Sequence, residues 1–264
     1  MNQPAVNQHI EWHHQLRSRL EDLKIECHFS LDQDFNLLTL GNGKLMVNLI
    51  SLTNIKLPEN LIDLQAKYKS AEIKLIHLWE DVWLSRPFQV VARIESLLGL
   101  NTRIHGRKTK VQKITKPIAD HFINQNHLQG AVNSRYKFGL FEREDLVAVA
   151  TFSALRNMNH TENYKSAELI RFAVKAGYSV TGGLSKLISH FLVLQKPTDI
   201  MTYADRDWSS GEAYSKLGFL LTATIAPKQF SLDQNFNRSL IKDTSVAADE
   251  VVFNTGSLKF ILKF

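Results

Sequence analysis

Apolar residues recur along this chain with two distinct periods, and the periods divide it into helices and strands. Between His9 and Leu23, the residues Ile10, Leu16, Leu20 and Leu23 stand at near-helical spacing with charged residues among them. The texture then changes to alternating strands from Ile25 to Leu52. Gly41-Asn42-Gly43 separates Phe35–Leu40 from Leu45–Ile50 and predicts a hairpin, because Gly and Asn tolerate the positive φ of a tight turn. Pro58 followed by Leu61, Leu64 and Tyr68 predicts another helix, and Ile73–Trp79 a short buried strand. Trp83–Leu98 has helical spacing, with Pro87 either in its first turn or breaking it.

Turn-rich Gly99-Leu100-Asn101-Thr102 marks a boundary. Beyond it the pattern predicts a strand over Arg103–Ile114 and a helix over Lys116–Asn126 with Pro117 near its start. Two strands follow, Lys137–Glu142 and Leu146–Ala154, joined by Arg143-Glu144-Asp145, and then a third over Ala167–Val174. Lys175–Gly183 reads as a loop opening a helix from Leu184 to Leu194. A strand (Ile200–Ala204), a short helix (Gly211–Leu217) and a strand (Phe219–Ala226) come next. After Gln229 the chain is polar until strand-like Val251–Phe253 and Leu258–Phe264. The expectation is an α/β protein of two domains, residues 1–100 and 101–264.

Composition narrows the class. With 264 residues, 44% hydrophobic and 22% charged, the chain is ordinary for a globular protein and is neither disordered, collagen-like nor a disulfide scaffold. Cys27, the single cysteine, makes no internal disulfide and no Cys-rich zinc site. No apolar run reaches the roughly 20 residues of a membrane span. Met1-Asn2-Gln3-Pro4 lacks the basic-then-apolar order of a secretory signal, so the cytoplasm is the expected compartment. The net charge of +6 is uneven: residues 1–100 carry −2 and residues 101–264 carry +8. Arg103, Arg107, Lys108, Lys110, Lys113 and Lys116 fall between Asn101 and Ala119 with no acid among them. Such a patch attracts nucleic acid by neutralising phosphates, while a lysine-guarded strand edge is the structural alternative.

Several residues carry candidate chemistry. Glu168 and Arg171 interrupt an otherwise apolar strand, where a charge needs a partner or a ligand. Alternation places them on opposite faces. Asp205 ends the apolar run Ile200–Ala204, either to orient or deprotonate an amine, or to cap the next turn or pair with Arg206. His127 and His160 are candidate bases near neutral pH, or ordinary surface and core histidines. Ser179-Val180-Thr181-Gly182-Gly183-Leu184 leads into Ser185 and a helix, and backbone N–H groups at a helix start form an anion site. Gly182 and Gly183 let backbone come close to phosphates.

The order of elements, that Gly-Gly loop, and Ala213-Tyr214-Ser215-Lys216-Leu217-Gly218-Phe219 together resemble the GNAT acyltransferase superfamily over roughly Arg103–Pro227. The resemblance implies a mixed-sheet domain that binds acetyl-CoA or another CoA thioester. Its donor site would comprise Val174, Ser179, Val180, Thr181, Gly182, Gly183, Leu184 and Ser185. Tyr214 would protonate the departing thiolate, with Asp205 and Glu168 completing the candidate catalytic set. The family usually has a small residue where Leu184 stands and a basic residue or Gln where Ser179 stands. Within the superfamily, Glu168-Leu169-Ile170-Arg171-Phe172, Tyr203-Ala204-Asp205-Arg206 and Asn126-His127-Leu128-Gln129-Gly130 are similar to phage-encoded domains related to the Mom DNA-modification protein. That likeness implies a nucleic-acid base as acceptor, contacts from Arg103, Arg107, Lys108, Lys110, His127 and Arg171, and the host cytoplasm as compartment. Tyr203, Trp208 and Phe230 would stack on a flipped base, or belong to the core.

Leu75-Ile76-His77-Leu78-Trp79-Glu80-Asp81-Val82-Trp83 resembles the end of a very-short-patch-repair nuclease module, which implies a restriction-endonuclease-like first domain. Such enzymes hold Mg²⁺ with an Asp and a Glu-x-Lys pair. The strand Leu45–Leu52 contains no acid, and Glu72-Ile73-Lys74 has the spacing at a helix-to-strand junction, so the metal site reads as lost and no metal is expected. Three rivals remain at this point: a non-catalytic nucleic-acid-binding protein, a nuclease or homing-type protein using Glu72 and Lys74, and an N-acyltransferase for small molecules or proteins.

Overall fold

A computed structural model describes residues 5–158, 161–241 and 251–264. His160 and part of the polar stretch after Gln229 lie outside the described residues. The chain divides into two compact units: Met1–Val91 with Asp205–Ser210 and Thr224–Ser257, and Ala92–Ala204 with Gly211–Ala223 and Leu258–Phe264.

In chain order the elements begin with α1 (Ala5–Asp22), β1 (Cys27–Asp32), β2 (Phe35–Leu40), β3 (Leu45–Ile50), α2 (Pro58–Ser70), β4 (Lys74–Trp79), α3 (Glu80–Ser85) and α4 (Pro87–Leu98). There follow β5 (Thr102–His105), β6 (Thr109–Lys113), α5 (Lys116–Asn126), β7 (Tyr136–Glu142), β8 (Asp145–Phe152), β9 (Arg156–Asn157), β10 (Lys165–Val174) and β11 (Tyr178–Thr181). The remainder is α6 (Gly183–Gln195), β12 (Asp199–Asp205), α7 (Glu212–Lys216), β13 (Leu220–Ile225), β14 (Gln229–Leu232), β15 (Arg238–Leu240), β16 (Val251–Phe253) and β17 (Ser257–Lys263).

In the first unit β1, β2, β3 and β4 form one sheet in that order, antiparallel until the parallel β3–β4 pair. The Gly41–Gly43 hairpin forms as expected, with φ of 58° at Gly41 and 81° at Gly43. Pro87 breaks the helix expected over Trp83–Leu98: α3 stops at Ser85 and α4 starts at the proline. The stretch after Gln229 is not merely polar, since β14 lies between β15 and β16 in a three-stranded antiparallel sheet. Arg238 on β15 makes a bidentate pair with buried Asp81 (2.7 and 2.9 Å) and stacks over Trp79 and Phe230.

The main sheet of the second unit runs β13-β17-β12-β10-β8-β7-β6, with β9 paired to the start of β10. One cluster of buried side chains lies between this sheet and α6, including Phe138, Phe152, Leu169, Leu187, Phe191, Ile200 and Phe260. A smaller cluster lies under α5, with Ala119, Phe122, Ile123, Val149 and Ala173. The single strand expected over Arg103–Ile114 is split by a 3₁₀ turn at Gly106–Lys108. β6 continues the sheet beside β7, while β5 pairs in parallel with β11, a strand inside the expected loop. A Cβ on Gly106 would stand 3.0 Å from both the Gly182 carbonyl carbon and the Thr181 oxygen, so glycine lets the turn sit flush against that segment.

A second correction concerns β10. Its register with β8 shifts between Leu169 and Arg171, a bulge that inserts one residue and reverses the alternation. Ala167 and Leu169 before the bulge, and Phe172 and Val174 after it, all pack in the α6-side cluster. Glu168 and Arg171 therefore project from the same face, not from opposite faces.

Candidate functional site

The two central strands of the second unit do not stay together. β10 pairs in parallel with β12 only over Ser166–Glu168 against Asp199–Met201, although β10 runs on to Val174 and β12 to Asp205. Side chains take up the backbone groups exposed by this parting: the Thr202 hydroxyl donates to the Leu169 carbonyl (3.0 Å). Arg171 donates through Nε to Gly130 O and through its NH1 to Ile170 O, both at 2.9 Å.

Tyr214 belongs to this place. Its ring lies 5.6 Å from Phe219 and 5.7 Å from Phe260, and its phenol neighbours the Thr202 hydroxyl. The Leu217-Gly218-Phe219 turn fixes the helix behind it, with Leu217 N and Phe219 N both donating to Tyr214 O and Gly218 at φ 88°. Burial pushes the phenol pKa above its ordinary value; the Thr202 hydroxyl and the guanidiniums of Arg93 and Arg171 act the other way. Arg93, on α4, and Thr202 were not singled out by sequence. An arginine on an amphipathic helix carries no signal of its own, and a threonine inside an apolar strand reads as core.

The Gly-Gly loop has the geometry of an anion site. Gly182 caps α6 at φ 74°, and no side chain hydrogen-bonds to that end of the helix. Gly182 and Ser185 are exposed. A Cβ on Gly183 would meet Val180 Cγ1 at 2.7 Å, so only glycine seats the helix start against this strand. Leu184 turns into the core, with Val174 and Val180 packed against the same cluster, so its bulk stays clear of the exposed helix end. Arg103 stands opposite Ser179 in the parallel β5–β11 pair, and His105 opposite Thr181. Lys186 donates to Gly106 O (3.0 Å) and to Thr109 O, which holds the turn carrying Arg107 and Lys108 beside the α6 start. The basic segment and the Gly-Gly loop, separate features in sequence, are thus neighbours, with Arg103, Arg107, Lys108 and Lys110 all exposed.

The other candidates fall into different places. Glu168 lies 3.8 Å from Arg156 and faces the same opening as the half-exposed Tyr203, whose pKa is raised by burial and by the Glu168 charge. Asp205 lies in the first unit, where its carboxylate accepts from Asp207 N (3.1 Å) and caps the turn that follows β12. His127 closes α5, its Nδ1 accepting from Gln129 N (3.1 Å). Trp208 is buried, and Phe230 packs in the core of the first unit.

The nuclease expectation finds little chemistry in the first unit. Glu72 sits in a turn at φ 60°, ahead of the strand that begins at Lys74. The parallel β3–β4 pair holds a neutral couple instead: Asn48 Nδ2 donates to His77 Nδ1 (3.1 Å), and His77 Nε2 donates to Leu61 O (3.0 Å). Burial pushes the His77 pKa down to about 3. Among the described residues, no cluster of three His, Cys, Asp or Glu side chains is placed to hold a metal, and no helix is long and apolar enough to cross a membrane.

No protein-family model matches the chain, and no curated protein matches it. Solved structures do. The chain is similar to the ribosomal-protein-S18-alanine N-acetyltransferase of Escherichia coli at 15% identity and a TM-score of 0.39, over 59% of this chain and 93% of that one. It is similar to Arabidopsis thaliana Naa50, solved with a bisubstrate analogue, at 15% identity and a TM-score of 0.40 over 60% and 99%. A GNAT family acetyltransferase from Elizabethkingia anophelis with acetyl-CoA bound gives 11% identity and a TM-score of 0.36 over 60% and 99%. Likeness at this level assigns no activity, which has to come from the residues themselves.

Proposed function

We propose that the second unit is a GNAT-type N-acyltransferase, carrying an acyl group from a CoA thioester to an amine. The observation that carries this reading is the parting of β10 from β12 after Glu168 and Met201, with the half-buried Tyr214 packed against the same core. The residues at the start of α6 fit a phosphate-rich donor: an uncapped helix N-terminus, exposed Gly182 and Ser185, and Arg103 and His105 alongside. Arg103 supplies from β5 the positive charge that Ser179 lacks. A CoA thioester, when bound, supplies an activated acyl carbon and a good leaving group. Tyr214 acts as general acid toward that leaving group. Glu168, on the face shared with Tyr203, accepts the proton from the incoming amine.

As acceptor we favour an amine on nucleic acid, supported by the exposed cations of the Arg103–Lys110 segment. An exocyclic base amine is a poor nucleophile, so positioning would supply most of its reactivity. The first unit we read as a nuclease-type fold in which the Asn48–His77 pair fills the place of a metal site, retained for docking.

Calorimetric titration with acetyl-CoA tests the donor site. Micromolar binding is expected, and Ser185→Asp should weaken it at least about tenfold while leaving the fold intact, because an acid in the first turn repels phosphate yet suits the helix dipole. No binding by folded wild-type protein would end the acyltransferase reading. Charge reversal at Arg107, Lys108 and Lys110 tests the acceptor: nucleic-acid affinity that survives it at moderate salt removes the nucleic-acid part alone.

A further inference from the structure

We infer that Arg156 is a specificity-determining residue of the acceptor site: standing beside Glu168, it turns away cationic amines and admits amines that are neutral in water. The inference rests on the reading of Glu168 as the group that takes the amine's proton. Two carboxylates share one face of β10 and β12, and they are held differently. Asp199 lies opposite Ser166, and its two oxygens accept from the Ser166 hydroxyl and from the Tyr164 phenol, the latter at 2.6 Å. Glu168 lies two residues beyond Ser166, opposite Met201, with its side chain 23% exposed. Its backbone is pinned: Glu168 N donates to Ser153 Oγ and Ser153 N to Glu168 O, both at 2.9 Å. Its carboxylate is not pinned. Among the described residues it accepts no hydrogen bond, and its ion-pair partner is Arg156, 3.8 Å away.

Arg156 comes to Glu168 from outside the central strands. β9 pairs antiparallel with the start of β10, which sets Arg156 opposite Ser166 and diagonal to Glu168 on the same face. The Arg156 side chain is 61% exposed, so its guanidinium is the outer member of the pair. Tyr203, two residues beyond Met201 and half-exposed, belongs to this face as well. An alkylammonium approaching Glu168 meets a like charge. It also keeps its proton up to about pH 10, where a carboxylate does not remove it. An amine conjugated to an aromatic ring arrives neutral and can stack on Tyr203. It becomes acidic only as its nitrogen bonds to the acyl carbon, and at that moment Glu168 takes the proton, later returning it to solvent. The carbon–sulfur bond breaks with its electron pair on sulfur, and the Tyr214 proton passes to that sulfur. The phenolate left behind takes a proton from solvent. Exocyclic base amines and free arylamines share this chemistry, and lysine side chains do not.

The test sets aniline against benzylamine, near matches in shape of which only the second is a cation at neutral pH. Binding of each to the full chain is followed at low salt by ligand-observed NMR, and transfer from acetyl-CoA by the release of free CoA thiol. Wild-type protein should prefer aniline. Arg156→Gln should tighten benzylamine about three- to fivefold and leave aniline nearly unmoved, a modest change because the guanidinium is exposed and screened. Arg156→Lys keeps the charge and should keep the wild-type preference. A wild-type preference for benzylamine overturns the inference. So does a benzylamine affinity that is unchanged in Arg156→Gln, undetectable in both proteins, or raised equally by Gln and Lys. Thiol release keeps the two ideas apart. A switch in binding without release of thiol from either amine removes the transferase reading and leaves Arg156 as the charge that sorts amines; release without a switch does the reverse.

Discussion

The parallel pair β3–β4 of the first unit and the parallel pair β10–β12 of the second end differently. β3 and β4 stay in register along their full length, from Leu45 opposite Lys74 to Ile50 opposite Trp79. The polar side chains between them, Asn48 and His77, satisfy each other and the Leu61 carbonyl. β10 and β12 separate after Glu168 and Met201, and beside the parting the Thr202 hydroxyl and the Arg171 guanidinium turn to backbone carbonyls. Buried polar groups are held in both places, but the first set is neutral and sealed, whereas the second lies where the strands part. A closed pair is a structural device, whereas an opened one is where chemistry is to be sought.

The largest expected effect follows from that difference. Tyr214→Phe should lower turnover about 10²–10³-fold, the range for loss of a general acid, while costing about 1 kcal/mol or less in stability, since the ring that packs in the core is kept and only a half-buried hydroxyl is removed. Turnover measured beside urea denaturation separates the two. A variant that loses stability and keeps its rate would place Tyr214 with Asn48 and His77, as a structural polar group.

Much of the frame could be read before the structure, and what could not has a physical reason. The ends of α5 were legible because Pro117 marks one boundary and the apolar spacing stops at the other. The Gly41–Gly43 hairpin was legible because its backbone admits few residues. The 3₁₀ turn at Gly106–Lys108 was not, since what bends the chain there is tertiary: the flush contact of Gly106 with Gly182 and the Lys186 bonds. β11 is four residues long and paired with a strand far away in sequence, so no periodicity announces it. The bulge in β10 leaves no trace in composition, yet it decides which face Glu168 and Arg171 share. Tyr214 and the Gly-Gly loop were singled out through resemblance alone, and their roles stay proposals.

The closed pair makes a prediction of its own, of intermediate size. Folded His77 stays neutral down to about pH 3, while in the unfolded chain it takes up a proton near its ordinary value of 6.5. The unfolded state therefore binds more protons between those limits, and stability due to His77 is full above pH 6.5 and falls as pH is lowered, by about 1.4 kcal/mol per unit. All four tryptophans, Trp12, Trp79, Trp83 and Trp208, belong to the first unit, so their fluorescence reports its unfolding alone. His77→Gln should flatten the slope between pH 6 and about 4.5. A wild-type slope that the variant leaves unchanged would mean the histidine is not sealed, and the contrast between the two strand pairs would lose its closed member.

The smallest effect is the sharpest on the open side. Thr202 donates to the Leu169 carbonyl and neighbours the Tyr214 phenol, a place like that of His77 between Asn48 and Leu61. Thr202→Val keeps the shape and deletes the hydroxyl, stranding the Leu169 carbonyl. In a sealed interior each stranded group costs about 1–3 kcal/mol, so the loss would rival that of a buried network. Thr202 and Leu169 are themselves buried, but on the reading that the parted strands admit water once the hydroxyl is gone, the expected cost is about 1 kcal/mol. Tryptophan emission is blind to the second unit, so the change has to be followed by the fluorine signal of a labelled Tyr214 during urea denaturation. A loss well above about 2 kcal/mol would show that β10 and β12 enclose Thr202 as tightly as β3 and β4 enclose His77. In that case the parting of the strands would be a local irregularity of a closed sheet, and Tyr214 would have no solvent from which to recover its proton.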